Sequence, residues 1–141
     1  MKTAKSLLGA AFVIAALGVV PAFAQNTMRI RADVPFEFSV GSVNLPAGEY
    51  VISRRMGSSV MRIATAKGDR QSLWMTKSTT TDSHPEETHL TFHVYGQQYY
   101  LAAVWSGTGA GGLVLPKSRA EKEAAASIAP EQVALLRVPA R

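Results

Sequence analysis

The histidines are the residues whose type and spacing first suggest a metal site. Three histidines lie within ten residues, with two acidic residues close by: His84, His89, His93, Asp82 and Glu86. On a strand His89 and His93 would share a face but lie about 13 Å apart, because each residue adds about 3.3 Å. Zinc–nitrogen bonds of about 2.0–2.1 Å cannot bridge that distance. We interpret these residues as exposed strand and loop histidines and expect no cofactor. A metal site completed by Asp82 or Glu86 is the alternative.

Other side chains could support hydrolysis, but they form no recognisable catalytic arrangement. Paired carboxylates could hydrolyse glycosides, yet Glu86 and Glu87 fall in a polar loop, and Glu121 and Glu123 fall on a surface helix. The sequence lacks the Gly-x-Ser-x-Gly motif of a nucleophile elbow. It also lacks cysteine, which removes thiol catalysis and thiolate metal sites. We therefore expect that the protein is not an enzyme, with a small hydrolase as the lesser alternative.

Neither the glycines nor the basic residues predict binding of nucleotides or nucleic acids. Four glycines occur between Gly107 and Gly112, but an apolar segment follows them, whereas a dinucleotide-binding loop leads directly into a helix. We interpret this stretch as a mobile loop. Nucleic-acid binding favours a clustered basic stripe, and the basic residues here are scattered.

The first 24 residues have the pattern of a secretory signal peptide. Lys2 and Lys5 precede an apolar run from Leu7 to Val20, and small residues then allow cleavage after Ala24. The run is shorter than the ~20 residues that span a membrane. We predict an exported protein, periplasmic or extracellular, with no membrane span after cleavage. Residues 25–141 then retain 13 of the 15 basic residues against all 10 acidic ones, which leaves only a small positive charge.

Period-two patterns predict an antiparallel β domain over residues 25–117. Apolar and polar residues alternate from Met28 to Val40, with a break or bend at Pro35. Leu45–Gly48 has the composition of a type I turn, and Glu49–Arg54 is predicted as the next strand. Short strands and tight turns of this kind are typical of a β-sandwich or small barrel.

A second pair of strands, Val60–Ala66 and Arg70–Thr76, is predicted around the segment Lys67-Gly68-Asp69. A three-residue loop there would gather four apolar side chains on one face, namely Met61, Ile63, Leu73 and Met75. In this register Trp74 faces outward, opposite Arg62, as a cation–π pair.

The strands His89–Tyr95 and Gln98–Trp105 are predicted to pair around a two-residue loop that begins with glycine. Glycine in that place favours a type II′ turn. The resulting register pairs His93 with Tyr100 and His89 with Val104. It turns His93, Tyr95 and Tyr100 away from the main core.

Residues 118–141 are predicted to form a short helix and a C-terminal segment. Ser118 and Glu121 fit a capping box that opens a helix ending near Ala126. Residues 129–138 fit either a last strand or a second helical turn, since Pro130 suits the first position of a helix. The fold class is thus all-β: a small antiparallel β-sandwich or open barrel with one short C-terminal helix.

Several short motifs follow one another in a set order between residues 29 and 125. They are Val34-Pro-Phe-Glu-Phe-Ser-Val-Gly41, Leu45-Pro-Ala-Gly-Glu-Tyr50, a Tyr-Tyr-Leu strand that ends at Trp105, and Leu115-Pro-Lys-Ser-Arg-Ala-Glu121. This order resembles a family of short exported proteins common in acidobacterial genomes. That family has no assigned activity, so the resemblance implies export and a β-rich domain but no catalytic residue.

The outward aromatic side chains are the candidate ligand-binding residues: Trp74, His93, Tyr95 and Tyr100. Exposed aromatic patches often bind glycans or proteins. We expect a non-catalytic binding module for an envelope or extracellular component, either glycan or protein. In one alternative, the late helix or the C-terminal segment covers these rings as a second small core. In another, the protein has a structural role, and a sheet edge such as Met28–Val40 pairs with a partner's strand.

Overall fold

The computed structural model describes residues 27–80, 86–108 and 111–141, which form an all-β fold with one short α-helix. The signal-peptide prediction lies outside these residues. The elements, in chain order, are β1 (Thr27–Val34), β2 (Phe38–Val40), β3 (Val43–Leu45), β4 (Gly48–Arg55), β5 (Val60–Thr65), β6 (Gln71–Met75), β7 (Lys77–Thr79), β8 (His89–Tyr95), β9 (Gln98–Trp105), β10 (Gly112–Val114), α1 (Arg119–Ala126), a 3₁₀ turn (Pro130–Gln132) and β11 (Val133–Pro139).

The strands form two sheets that enclose a shared core. Sheet A has the order β1-β4-β5-β6, and sheet B has the order β11-β8-β9-β10-β7, with the β2–β3 hairpin attached to β9. The chain crosses between the sheets after β1, after β3 and after β6. The two sheets also meet where Ala140 bridges to Ala32 and Arg141 exchanges backbone hydrogen bonds with Arg31 (2.7 and 2.9 Å). One side of the sandwich is therefore closed by the last residues described.

The alternation between Met28 and Val40 places one side of the segment in the core. Ile30, Ala32 and Val34 are buried on β1, and alternate residues are buried again on β2. The break at Pro35 is confirmed, because β1 ends just before it. Proline has no N–H to donate to a sheet, and the chain leaves sheet A there to join sheet B. The shared core is built mainly from large apolar side chains of both sheets, including Phe38, Tyr50, Ile52, Met61, Ile63, Leu90, Phe92 and Leu113.

The hairpin β8–β9 has the predicted register at its turn end and a different one beyond a bulge. His93 lies opposite Tyr100, as expected. A register shift after this part of the hairpin places His89 opposite Trp105 instead of Val104. An extra residue in one strand is the usual cause of such a shift. The loop glycine, Gly96, has a φ of 63°, as the first position of a type II′ turn requires.

The predicted register of the hairpin β5–β6 is wrong by one residue. Arg62 lies opposite Leu73, and Trp74 faces the core opposite Met61. The loop has four residues instead of three, because the amide of Thr65 donates to the carbonyl of Arg70 (3.0 Å). A slip of one residue exchanges the two faces of a strand. Trp74 is therefore partly buried, whereas Leu73 and Met75 remain 67% and 63% exposed.

The C-terminal segment forms a strand, which decides between the two conformations left open by the sequence. Pro130 begins a 3₁₀ turn of three residues, and β11 then pairs with β8 along its whole length. Because β11 extends sheet B, this segment belongs to the same sheet as the preceding hairpin.

Candidate functional site

The structure brings together three of the four candidate ligand-binding residues. His93, Tyr95 and Tyr100 lie side by side on sheet B, with ring centroids 6.2 Å apart for the first pair and 5.7 Å for the second. Trp74 lies in sheet A and packs against the core, so the expected outward position of Trp74 is wrong. Its ring occupies space that a side chain at Gly41 would fill.

Helix α1 contacts two of the three remaining residues, His93 and Tyr95, through one carboxylate. The hydroxyl of Ser118 caps the helix by accepting from the amide of Glu121 (3.1 Å), as the capping box predicts. The Glu121 carboxylate points to the sheet, where one oxygen, Oε1, accepts from His93 Nδ1 (2.6 Å) and from the Tyr95 hydroxyl (3.0 Å). Glu121 is only 4% exposed, and Tyr95 and Tyr100 are buried. These rings therefore lie beneath the helix, in the covered arrangement named as an alternative.

The buried phenols under α1 hold their protons more tightly than exposed ones. Burial raises the pKa of Tyr95 to about 12, and the hydrogen bond to Glu121 and its negative charge act in the same direction. Burial also raises the pKa of Tyr100, again with help from the charge of Glu121. Tyr95 consequently remains a hydrogen-bond donor to the helix well above pH 10.

We expect the stability of the protein to fall between pH 10 and about 12 because of Tyr95. In this window the folded state retains a proton that the unfolded state loses, so the free energy of unfolding decreases as pH rises. The loss is on the order of 2 kcal/mol at the upper end. Denaturant unfolding at several pH values checks it, with Tyr95→Phe expected to show a flatter pH dependence than wild type. Parallel curves for the two proteins would contradict the assignment.

His89 is a core residue and not the exposed histidine expected from the sequence. It is 1% exposed, its ring stacks on Trp105 with centroids 6.0 Å apart, and Nδ1 lies 2.8 Å from the carbonyl of Glu87. Within residues 27–80, 86–108 and 111–141, no group of three or more His, Asp or Glu side chains is placed to hold a metal ion. The alternative ligands Asp82 and His84 lie outside the described residues.

The glycine-rich segment contains residues that pack closely against neighbouring atoms. A Cβ at Gly107 would lie 2.7 Å from the carbonyl oxygen of Glu86, and one at Gly112 would overlap the ring of Trp105. Gly111 has a φ of 84°, and a Cβ added there would overlap the carbonyl oxygen of Thr79. These three glycines allow backbone to approach backbone and ring closely, and Gly112 begins the strand β10; the mobility of the loop stays a prediction. Gly109 lies outside the described residues.

A cleft opens where the ends of the two sheets meet, and we call it the end cleft. It has a volume of about 570 Å³, within the usual range of small-molecule sites. Sheet A contributes β1 and the end of β4, and sheet B contributes β7 and β10. Its lining combines apolar, hydroxyl and basic side chains, among them Met28, Ile30, Arg54, Ser78, Ser106 and Leu113.

Arg54 is the residue of this cleft that the sequence reasoning missed. It follows Tyr50 and Ile52 in the period-two pattern of β4, so it occupies the inward-facing side of the strand. An arginine at a position where the pattern calls for an apolar residue is a signal that could have been noticed. The sequence argument instead treated it as the end of the strand.

No helix in the described part of the chain is long and apolar enough to cross a membrane. The resemblance to the acidobacterial family stays a prediction. Comparison of the chain with family models, curated proteins and solved structures found no match.

Proposed function

We propose that the protein is an exported, non-catalytic binding module that holds a small component of the cell envelope or extracellular medium in its end cleft. The cleft itself is the observation that carries this proposal. Its volume suits a small molecule, and both sheets contribute to its walls. A rigid sandwich with a cleft at one end is a common arrangement for a binding protein, because loops and strand ends can vary without disturbing the core.

The contacts made by the other candidate residues also favour the end cleft as the binding site. His93, Tyr95 and Tyr100 are engaged beneath α1, and His89 is engaged in the core. These side chains stabilise the fold, so the cleft is the better candidate surface for a small ligand. Export is supported by the pattern of the first 24 residues.

Thermal unfolding in the presence of candidate ligands tests the proposal. The panel contains envelope glycans, peptidoglycan fragments, lipids and divalent metals. A ligand at ~100 times its dissociation constant stabilises a protein by about 2.7 kcal/mol, which raises Tm by several degrees at this size. We expect one class of compound to do so, and Met28→Trp to remove the shift by filling the cleft. Met75→Trp is the control, because Met75 is exposed on β6 and does not line the cleft.

Two outcomes would contradict the proposal. A shift that persists in Met28→Trp would place the ligand elsewhere. The absence of any shift would favour the structural alternative, in which a sheet edge pairs with a partner's strand. The edge named from sequence, β1, carries Ala140 and Arg141 along its middle. The edge strand β6, with Leu73 and Met75 exposed, is then the better place for such pairing.

A further inference from the structure

Arg54 occupies a position whose surroundings are better suited to an apolar residue. It continues the inward series of Tyr50 and Ile52, both of which are buried in the core. Its neighbours across the sheet are Met28 on β1 and Met61 on β5, and Met61 is fully buried. A cation at the end of such an apolar row loses part of its hydration, which is unfavourable unless another group compensates.

The guanidinium of Arg54 has few partners within the protein. One nitrogen, Nη1, donates to the hydroxyl of Ser78 (3.2 Å) and weakly to the carbonyl of Ser58 (3.4 Å). The Nε atom is buried and has no hydrogen-bond partner. No carboxylate of the described residues forms an ion pair with Arg54. Buried polar groups are nearly always satisfied, so this arginine retains donors for a group that the described residues do not supply.

A second recess beside Arg54 is lined by residues with hydroxyl groups. This smaller recess of about 340 Å³ adjoins Arg54 and is lined by three serines and a threonine: Ser58, Ser59, Thr76 and Ser78. Arginine bonds to planar anions with two parallel N–H donors, and hydroxyls can donate to the remaining oxygens. The recess therefore has the chemistry of a site for an anionic head group.

The end cleft places apolar side chains beside Arg54. Met28, Ile30 and Leu113 line it, and Met56 stands at the same cavity. No Asp or Glu side chain is among its described lining residues. Arg29 and Arg141 also line the cleft, so it offers basic and hydroxyl groups beside an apolar floor that includes Met28, Ile30 and Leu113.

We propose that the end cleft binds an amphiphilic anion, with its charged head at Arg54 and the serines and its apolar chain along Met28, Ile30 and Leu113. This inference rests on the proposed function and specifies the class of ligand. A fatty acid or another lipid with one anionic head and one acyl chain has this chemistry. The head would satisfy the guanidinium, and the chain would be removed from water by the cleft.

Isothermal titration with decanoate, 1-decanol and inorganic phosphate tests the inference. We expect wild type to bind decanoate at least tenfold more tightly than decanol and to bind phosphate alone weakly. In Arg54→Met the affinity for decanoate should fall at least tenfold, while that for decanol is unchanged or improved. The control is Arg55→Met, because Arg55 is exposed on the outer side of the same strand. It should bind all three probes as wild type does.

The stability of the ligand-free variant separates a binding role from a structural one. Methionine suits the apolar row, so the Tm of Arg54→Met without ligand should equal or exceed that of wild type. A marked fall in Tm would show that Arg54 serves the fold and would overturn the inference.

The failure of this inference can be told apart from that of the proposed function. If decanol and decanoate bind equally well and Met28→Trp loses both, the ligand needs no anionic head, although the cleft is still a binding site. If phosphate alone binds tightly and this binding depends on Arg54, the ligand needs no acyl chain. Either result would overturn the inference. If no probe binds the wild-type protein, the amphiphilic anion is wrong. The proposed function then depends on the ligand panel alone.

Discussion

Replacing Glu121 with alanine is expected to lower the free energy of unfolding by about 3 kcal/mol. The substitution removes an acceptor that is 4% exposed and that joins α1 to sheet B. Each hydrogen bond to a charged group contributes about 1.5–3 kcal/mol, and Glu121 accepts two. His93 and Tyr95 would be left without that acceptor beneath the helix. Urea denaturation followed by circular dichroism measures the change.

The matched control for Glu121 lies on the same helix. Glu123 is exposed and forms an ion pair with Arg119 one turn earlier (3.0 Å). Exposed pairs of this kind contribute about 0.3–0.5 kcal/mol, so Glu123→Ala should leave the protein almost as stable as wild type. Equal effects of the two substitutions would show that the contact between Glu121 and the sheet contributes little. A large loss in Glu121→Ala alone would support the helix as a covering element.

The elements that the sequence predicts well are those that depend on local patterns. Burial alternates along β1 as the sequence indicates, and α1 begins at Arg119, directly after its cap Ser118, and ends at Ala126. A strand's inner face and a helix cap are decided by residues within a few positions of each other. The pairing of His93 with Tyr100 is also local, because a two-residue turn fixes the register of its hairpin.

The positions that the sequence did not predict depend on contacts between distant segments. Glu121 reaches His93 across many intervening residues, so neither residue alone indicates that the other is near. Local rules suggest that the Glu121 carboxylate bonds back to its own helix, but in the fold a buried phenol and an imidazole are closer donors. Arg54 is similar, since the pattern of β4 shows an inward arginine but cannot show that no carboxylate of the described residues pairs with it.

The register predicted for β5–β6 is wrong for the same reason, because it depends on a contact between distant segments. The predicted register gathers the apolar side chains on one face and thereby turns Trp74 outward. In the structure Trp74 packs on Gly41, which belongs to the β2–β3 turn of the other sheet. The space above a glycine allows the indole to face the core, while Leu73 and Met75 remain outside. The residues of the β5–β6 hairpin alone do not predict that space, because Gly41 lies outside the hairpin.

Gly41→Ala is expected to destabilise the protein by about 3 kcal/mol. Gly41 has a φ of 58°, a conformation that costs a residue with a side chain about 1–2 kcal/mol. The added Cβ would also overlap the ring of Trp74, and overpacking of this kind typically costs about 1–3 kcal/mol. Chemical denaturation measures the sum.

Gly96→Ala isolates the contribution of Trp74, because Gly96 has a similar φ of 63° but nothing within 4 Å of an added Cβ. It should cost only the conformational part, about 1 kcal/mol. In a Trp74→Leu background, the two alanine substitutions should become nearly equal in effect, since the overlapping ring is gone. If Gly41→Ala and Gly96→Ala are equally mild in the wild-type background, Trp74 does not lie on Gly41. The outward register expected from the sequence would then be restored, together with Trp74 as a candidate surface residue.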